Sequence, residues 1–330
     1  MNTTRIPRRF AIGIAFTAGL LLTLQGTAHA QSDWPNKPVR IVASFAAGGS
    51  SDLVARQLAL HLSQRYGQQF IVENRAGAGG NIGVDFVAKS APDGYTLGLG
   101  TSGPLANNKS LYNPMPFDAA KDLTPIALVG EIPLMISVHP AVKASTLPEF
   151  VALSKTSTDP LLVAHPGNGT IGHLATEFLR VNVGGKFKSV PYKGDTPAMS
   201  DTLAGTVQAV SVPVTSQISH VQAGKLKALA ITSKTRFAGL PNVPTANEQG
   251  IPLEATVWSA VVGPAGLPPS IVNSLNTEIN KFTNSAEGKA KLTSLGMTAL
   301  AGTPAQLSEL MATEAAKWKQ VVESAKISLD

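Results

Sequence analysis

No cysteine occurs in the 330 residues, which excludes disulfides and thiol chemistry of any kind. The chain also lacks a block of Lys or Arg, so it has no electrostatic footprint for nucleic acid. Beyond Leu24 no apolar run approaches the roughly 20 residues that a membrane span needs. The common catalytic and nucleotide signatures are missing too. There is no G-x-x-x-x-G-K-[ST], no G-x-S-x-G elbow and no H-E-x-x-H. The stretch with Gly77, Gly79, Gly80 and Gly83 misses the dinucleotide fingerprint by one position, because Ile82 stands where the third glycine is required. Outside the first thirty residues the histidines are His61, His139, His165, His173 and His220, with no metal-ligand spacing. No catalytic residue, metal site or cofactor is expected.

What is present begins with a leader. Arg5, Arg8 and Arg9 form a basic start, Phe10–Leu24 an apolar run, and Ala28-His29-Ala30 an A-x-A cleavage signal, so residues 1–30 read as a signal peptide cut after Ala30. Its removal takes three arginines and no acid, which leaves 24 basic against 21 acidic residues, a net +3. The rest, 43% hydrophobic over the whole chain, is long enough for two lobes.

Short β-branched runs such as "VRIVASF", "YTLGLG", "LLVAHP" and "LKALAIT" alternate with helical patterns such as "DLVARQLALHLSQRYG" and "GHLATEFLRVNVG". That alternation predicts α/β architecture: open, largely parallel sheets with helices on both faces. A long helix closes the chain, with Thr303 as its cap and Pro304 at its first position. Two extended apolar stretches, Thr124–Met135 and Ile251–Gly266, read as crossings between lobes. The lobes then comprise residues 31–130, an inserted 131–252, and a return over 253–330.

Three strand–turn–helix units carry glycine in the turn: Val39–Leu62, Leu161–Val181 and Phe187–Gly205. A helix start leaves about four N–H groups unpaired and carries roughly half a positive charge, so such a turn can cradle a carboxylate or phosphate without a charged side chain. Ligands of open α/β sheets sit beyond the carboxyl ends of the strands, where turns from two lobes can face each other. The alternative is that Gly and Ser simply make tight turns and caps. His173 likewise reads as a capping or core-edge residue as well as a ligand contact. Asp195 has the position of an N-cap, and Trp318 lies on the packing face of an amphipathic helix.

In order along the chain, "DWPNKPVRIVASFAAGGSSDLVAR", "VENRAGAGGNIG", "APDGYTLGLGTSG", "YNPMPFDAAKDLTPIALVG", "GTIGHLATEF", "PYKGDTPAMSD", "AGKLKALAIT" and "LPNVPTANEQG" resemble the periplasmic solute-binding proteins of the tripartite tricarboxylate transporter family, the Bug receptors. The resemblance spans the mature chain. It implies a two-lobed periplasmic binding protein fold of type II-like form. Such a fold closes on a small organic carboxylate (a di- or tricarboxylate, an acidic amino acid or an aromatic carboxylate). It also implies delivery to a two-component membrane permease, or service to a membrane sensor kinase, by a monomer that is not an enzyme. An exported α/β hydrolase is the remaining reading. Closure would be ligand-driven, the closed state binding more tightly than the open one.

Carried over residue by residue, the resemblance assigns the ligand site to Phe45, Ala46, Ala47, Gly48, Gly49 and Ser50, to Thr101 and Ser102, and to His165, Gly167, Asn168, Gly169 and Thr170. Tyr192, Lys193, Gly194 and Asp195 follow at the next helix start, with Val212 and Pro213 at a strand end. Departures from the family pattern stand at Ser44, His165, Asp195 and Gln208. An acid at Asp195 would repel a ligand carboxylate unless it meets an amine or ring N–H, or caps its own helix.

Overall fold

The computed structural model describes Met1 and residues 34–45, 47–192 and 194–327. The expected leader therefore falls, beyond Met1, outside the described residues, as do Ala46, Lys193 and the side chain of Ser50. The chain divides into the units Met1–Asn36 and Lys37–Asp330. In the first, the Trp34–Pro35 peptide bond is cis. Every element named below belongs to the second.

Strand β1 (Val39–Ala43) leads into helix α1 (Ser50–Tyr66), β2 (Phe70–Asn74), α2 (Asn81–Ala88) and β3 (Thr96–Thr101). The 16-residue β4 (Leu123–Val138) follows, then α3 (Leu147–Thr156), β5 (Leu161–His165), α4 (Ile171–Val181), β6 (Phe187–Pro191), α5 (Asp195–Leu203), β7 (Ala209–Pro213) and β8 (Lys227–Ile231). The chain ends through β9 (Thr256–Pro264), α6 (Pro269–Asn284), α7 (Ala286–Ser294), β10 (Thr298–Ala299) and α8 (Pro304–Ala325). The main sheet order is β2-β1-β3-β9-β4-β7-β5-β6, with β8 and β10 also paired to β4.

Strand β4 explains how this sheet is organised. Its residues Leu123–Pro133 run antiparallel to β9, while Leu134–Val138 run antiparallel to β7. One extended segment, buried through most of its length, thus belongs to two half-sheets in turn. Within each half the outer strands are parallel, β1 with β2 and β3, and β5 with β6 and β7. The sheet is therefore mixed rather than largely parallel. The chain enters the second half along β4 and is back in the first at β9, and these two strands run in opposite directions side by side. Parallel strands need covering helices on both faces, and the strand–helix alternation supplies them.

Helix α8 has the predicted start. The Thr303 hydroxyl accepts from Gln306 N–H, and the Gln306 side chain accepts from Thr303 N–H, a reciprocal cap with Pro304 at the first position. Its Leu307 and Met311 join the core of Val42, Val84, Val87 and Trp258. Its Trp318, Val321 and Val322 join the core of Leu134, Phe150 and Leu174. Trp318 is fully buried and its indole N–H donates to Glu314 at 2.8 Å, so packing is its role, as its position on the helix predicts.

The turn after β1 is held from within. The Asp52 carboxylate accepts from Gly48 N–H at 2.9 Å, from Arg56 at 3.0 Å and from Asn74 at 3.0 Å, and Asn74 also donates to the Phe45 carbonyl. Arg56 foremost holds the Asp52 carboxyl down to about 2. The glycine turn here closes over a carboxylate of the protein's own. Asp52→Ala leaves those donors without their common acceptor. We expect it to cost about 1–3 kcal/mol, the usual loss for hydrogen bonds to a charged acceptor. Urea unfolding checks this, and an unchanged midpoint would contradict it.

Candidate functional site

The carboxyl ends of β1, β3, β5, β6 and β7 open towards one cavity of about 230 Å³. Phe45 follows β1, and Thr101, Ser102 and Gly103 end β3 and begin the short helix Ser102–Leu105. Pro166, Asn168, Gly169, Thr170, Ile171 and Gly172 follow β5, Asp195 follows β6, and Pro213 ends β7. Leu134 of β4 and Val257 of β9 contribute apolar wall, and Gly79, Asn107, Asn108 and Tyr112 complete it.

The loop from Pro166 to Thr170 shows how the sequence builds one wall. Gly169 has φ +76°, a left-handed conformation costly for any residue with a Cβ. Its N–H donates to His173 Nδ1 at 3.1 Å. Thr170 caps α4: its hydroxyl donates to the Gly167 carbonyl at 2.7 Å and accepts from His173 N–H at 3.4 Å. With the His173 N–H satisfied, Ile171 and Gly172 hold the first two positions of α4. N–H groups there have no acceptor within the helix, and both residues line the cavity. The next loop is tied to this one, since Gly194 N–H donates to the Pro166 carbonyl and Tyr192 N–H to the His165 carbonyl.

On the opposite wall Thr101, Ser102, Asn107 and Asn108 are all buried. Asn108 donates to Asn81 at 2.7 Å and to the Gly79 carbonyl, which fixes its amide. The Asn107 side-chain carbonyl has no partner among the described residues, an orphan polar group on the cavity wall. No Lys, Arg or His is among the described lining residues. An anion held here would be bound by amides, hydroxyls and helix starts.

Of the residues singled out in the sequence, Phe45, Thr101, Ser102, Asn168, Gly169, Thr170, Asp195 and Pro213 come together on this cavity. Ala47, Gly48 and Gly49 lie outside the lining, the Gly48 N–H being taken by Asp52. His165, Gly167, Tyr192, Gly194 and Val212 are likewise not among the lining residues. His165 is fully buried, bonded to Ser189 at 2.7 Å and to Gly167, and stacked on His173 with ring centroids 4.6 Å apart. Burial, then the neighbouring His173, depresses its imidazole to about 3, and burial lowers His173 as well. Tyr192 gives its hydroxyl to Asp201 at 2.6 Å, and Val212 is core. Asp195 does not cap α5. Gly194 is the N-cap, and the Asp195 carboxylate accepts instead from the Ser216 hydroxyl at 2.6 Å.

Sequence reasoning missed Gly79, Gly103, Asn107, Asn108, Tyr112, Leu134, Pro166, Ile171, Gly172 and Val257. The adjacent Asn107-Asn108 pair just past "TSGPLA" was a readable signal, polar groups following a strand end. Leu134 and Val257 carried none, because only strand pairing brings them to the cavity.

The family model described as "Tripartite tricarboxylate transporter family receptor" matches residues 54–327. The chain is 37% identical to "Protein BugT" of Bordetella pertussis over 324 residues, 98% of each chain. It is similar in structure to "R. palustris Rpa4515 with adipate" (34% identity, TM-score 0.77, 90% of this chain and 100% of that one). It is also similar to "MatC (Rpa3494) from Rhodopseudomonas palustris with bound malate" (31% identity, TM-score 0.72, 88% of this chain and 100% of that one).

Proposed function

Because the chain belongs to the tripartite tricarboxylate transporter receptor family, solute-binding receptors rather than enzymes, we propose that it is exported to the periplasm and captures a small organic carboxylate in the cavity beyond β1, β3, β5, β6 and β7. The observation that carries this reading is the convergence of unpaired helix-start N–H groups and buried neutral donors, from both half-sheets, on one small cavity. At about 230 Å³ it lies below the roughly 300–1,000 Å³ usual for drug-sized ligands, in keeping with a compact acid. The similar structures with adipate and with bound malate support the carboxylate class.

The lobes of this reading are residues 31–130 with 253–330, and the inserted 131–252. The ligand-bound form is handed, as a monomer, to a two-component membrane permease. Donors lie on both walls, so a carboxylate satisfied by both favours the closed arrangement, which is what couples binding to closure.

A thermal-shift panel on the mature protein, stripped of carried-over ligand, tests it. The panel holds di- and tricarboxylates, amino acids, aromatic acids and phosphorylated controls. A ligand at about 100 times its Kd stabilises by roughly 2.7 kcal/mol, a rise of several degrees in Tm. The expected outcome is a rise confined to carboxylates. A rise with phosphorylated compounds alone would overturn the reading.

A further inference from the structure

The cavity holds one feature that a receptor for plain dicarboxylates has no use for. Asp195, the first residue of α5, is the only carboxylate among the described lining residues, and no cation is among them. One oxygen, Oδ2, accepts from the Ser216 hydroxyl at 2.6 Å. No described residue donates to Oδ1 or forms an ion pair with Asp195, whereas the other acid that follows a glycine turn, Asp52, is fully engaged by Arg56, Asn74 and Gly48. Burial raises the Asp195 carboxyl above the ordinary carboxylate range.

A dianion placed in this cavity would add its charges to that of Asp195, with no cation among the described lining residues to offset any of them. A ligand that carries its own cation removes the conflict. Its carboxylate takes the N–H groups at the start of α4 and the donors of the opposite wall, and its cation takes Asp195. We propose that Asp195 is a specificity-determining residue that reads an ammonium group, so that the ligand class is an amino carboxylate rather than a simple di- or tricarboxylate. This rests on the carboxylate-receptor reading above and narrows it. Ser216 holds the carboxylate in place by occupying one oxygen and leaving the other for the ligand.

Calorimetric titration with pairs that differ only by the amine tests this: glutamate against glutarate, aspartate against succinate, and γ-aminobutyrate against butyrate. The wild-type protein should bind the amine-bearing member of at least one pair tenfold or more tighter than its partner. Asp195→Asn keeps the shape and an acceptor for Ser216 and removes the charge. It should bring that pair within about twofold or reverse its order. The wild-type comparison needs no variant, so a folding defect in Asp195→Asn could not hide the answer. If the acids without an amine bind as tightly as their amine-bearing partners, the ammonium reading is overturned while the carboxylate receptor stands. If no carboxylate of any kind binds, both fall. A preference for the amine that survives in a folded Asp195→Asn would overturn the assignment to Asp195.

Discussion

Gly172→Ala should abolish ligand binding and lower the melting temperature by several degrees. Gly172 is the second residue of α4 and crosses β7 so closely that an added Cβ would lie 2.2 Å from the Ser211 carbonyl oxygen and 3.1 Å from the Pro166 ring. The neighbour at 2.2 Å is strand backbone, which cannot swing aside as a side chain can. Ser211 is buried in the middle of β7, next to β4 and β5. The helix start must therefore move. Overpacking of this kind costs about 1–3 kcal/mol in a well-packed interior. The displacement also falls on Ile171 and Gly172, which line the cavity at the helix start, where N–H groups have no acceptor within the helix. Thermal melting and calorimetry on the variant check both parts. A melting temperature within a degree of wild type, with an unchanged Kd, would show that the close approach carries no weight.

Acidification should destabilise the protein well above the range where carboxylates titrate. His165 is fully buried with its imidazole lowered from 6.5 to about 3, and His173, stacked on it, is lowered too. Between pH 6.5 and 3 the unfolded chain binds a proton at His165 and the folded chain does not, so stability rises with pH across that window. The contribution is complete above about 6.5 and is lost as pH falls toward 3, at a slope of about 1.4 kcal/mol per pH unit for one such histidine. His173, whose imidazole burial lowers below its usual value, adds to the slope. Its Nε2 lies 4.0 Å from Glu177, which favours its charged form, while Arg180 opposes it. His165→Ser should lower stability at neutral pH and flatten this acid limb. Urea unfolding from pH 7.5 to 4.5 measures both, and equal slopes for variant and wild type would remove His165 as the cause. Because Gly169 N–H donates to His173 Nδ1, protonating that ring also releases the loop at the start of α4. Ligand affinity should therefore hold while stability begins to fall, and weaken only once pH drops through the lowered pKa of the folded His173.

Much of this molecule was set by local chemistry and could be read from the sequence. The alternation of β-branched runs with amphipathic ones determined the strand–helix order. Thr303, Pro304 and Gln306 determined where α8 begins, and Thr170 with its glycines determined the start of α4. In each case the partners lie within a few residues of one another, so no knowledge of the rest of the fold was needed. Only the tertiary structure decided what those parts do. The first glycine turn has the right residues for an anion cradle, yet Asp52 fills it, because Asn74 at the end of the neighbouring strand is placed to complete the bond set. Asp195 looks like a cap by position, but the helix begins with Gly194 as its cap, and Ser216, 21 residues on, turns the carboxylate to the cavity wall. His165 stands at a strand end like a ligand contact, and the parallel pairing of β5 with β6 sets it against Ser189 instead. The cavity wall itself is an outcome of register: Leu134 and Val257 face it because β4 passes from one half-sheet to the other beside β9. Pairings across a hundred residues or more leave no trace in a window of ten, which is why the parts were legible and their assembly was not.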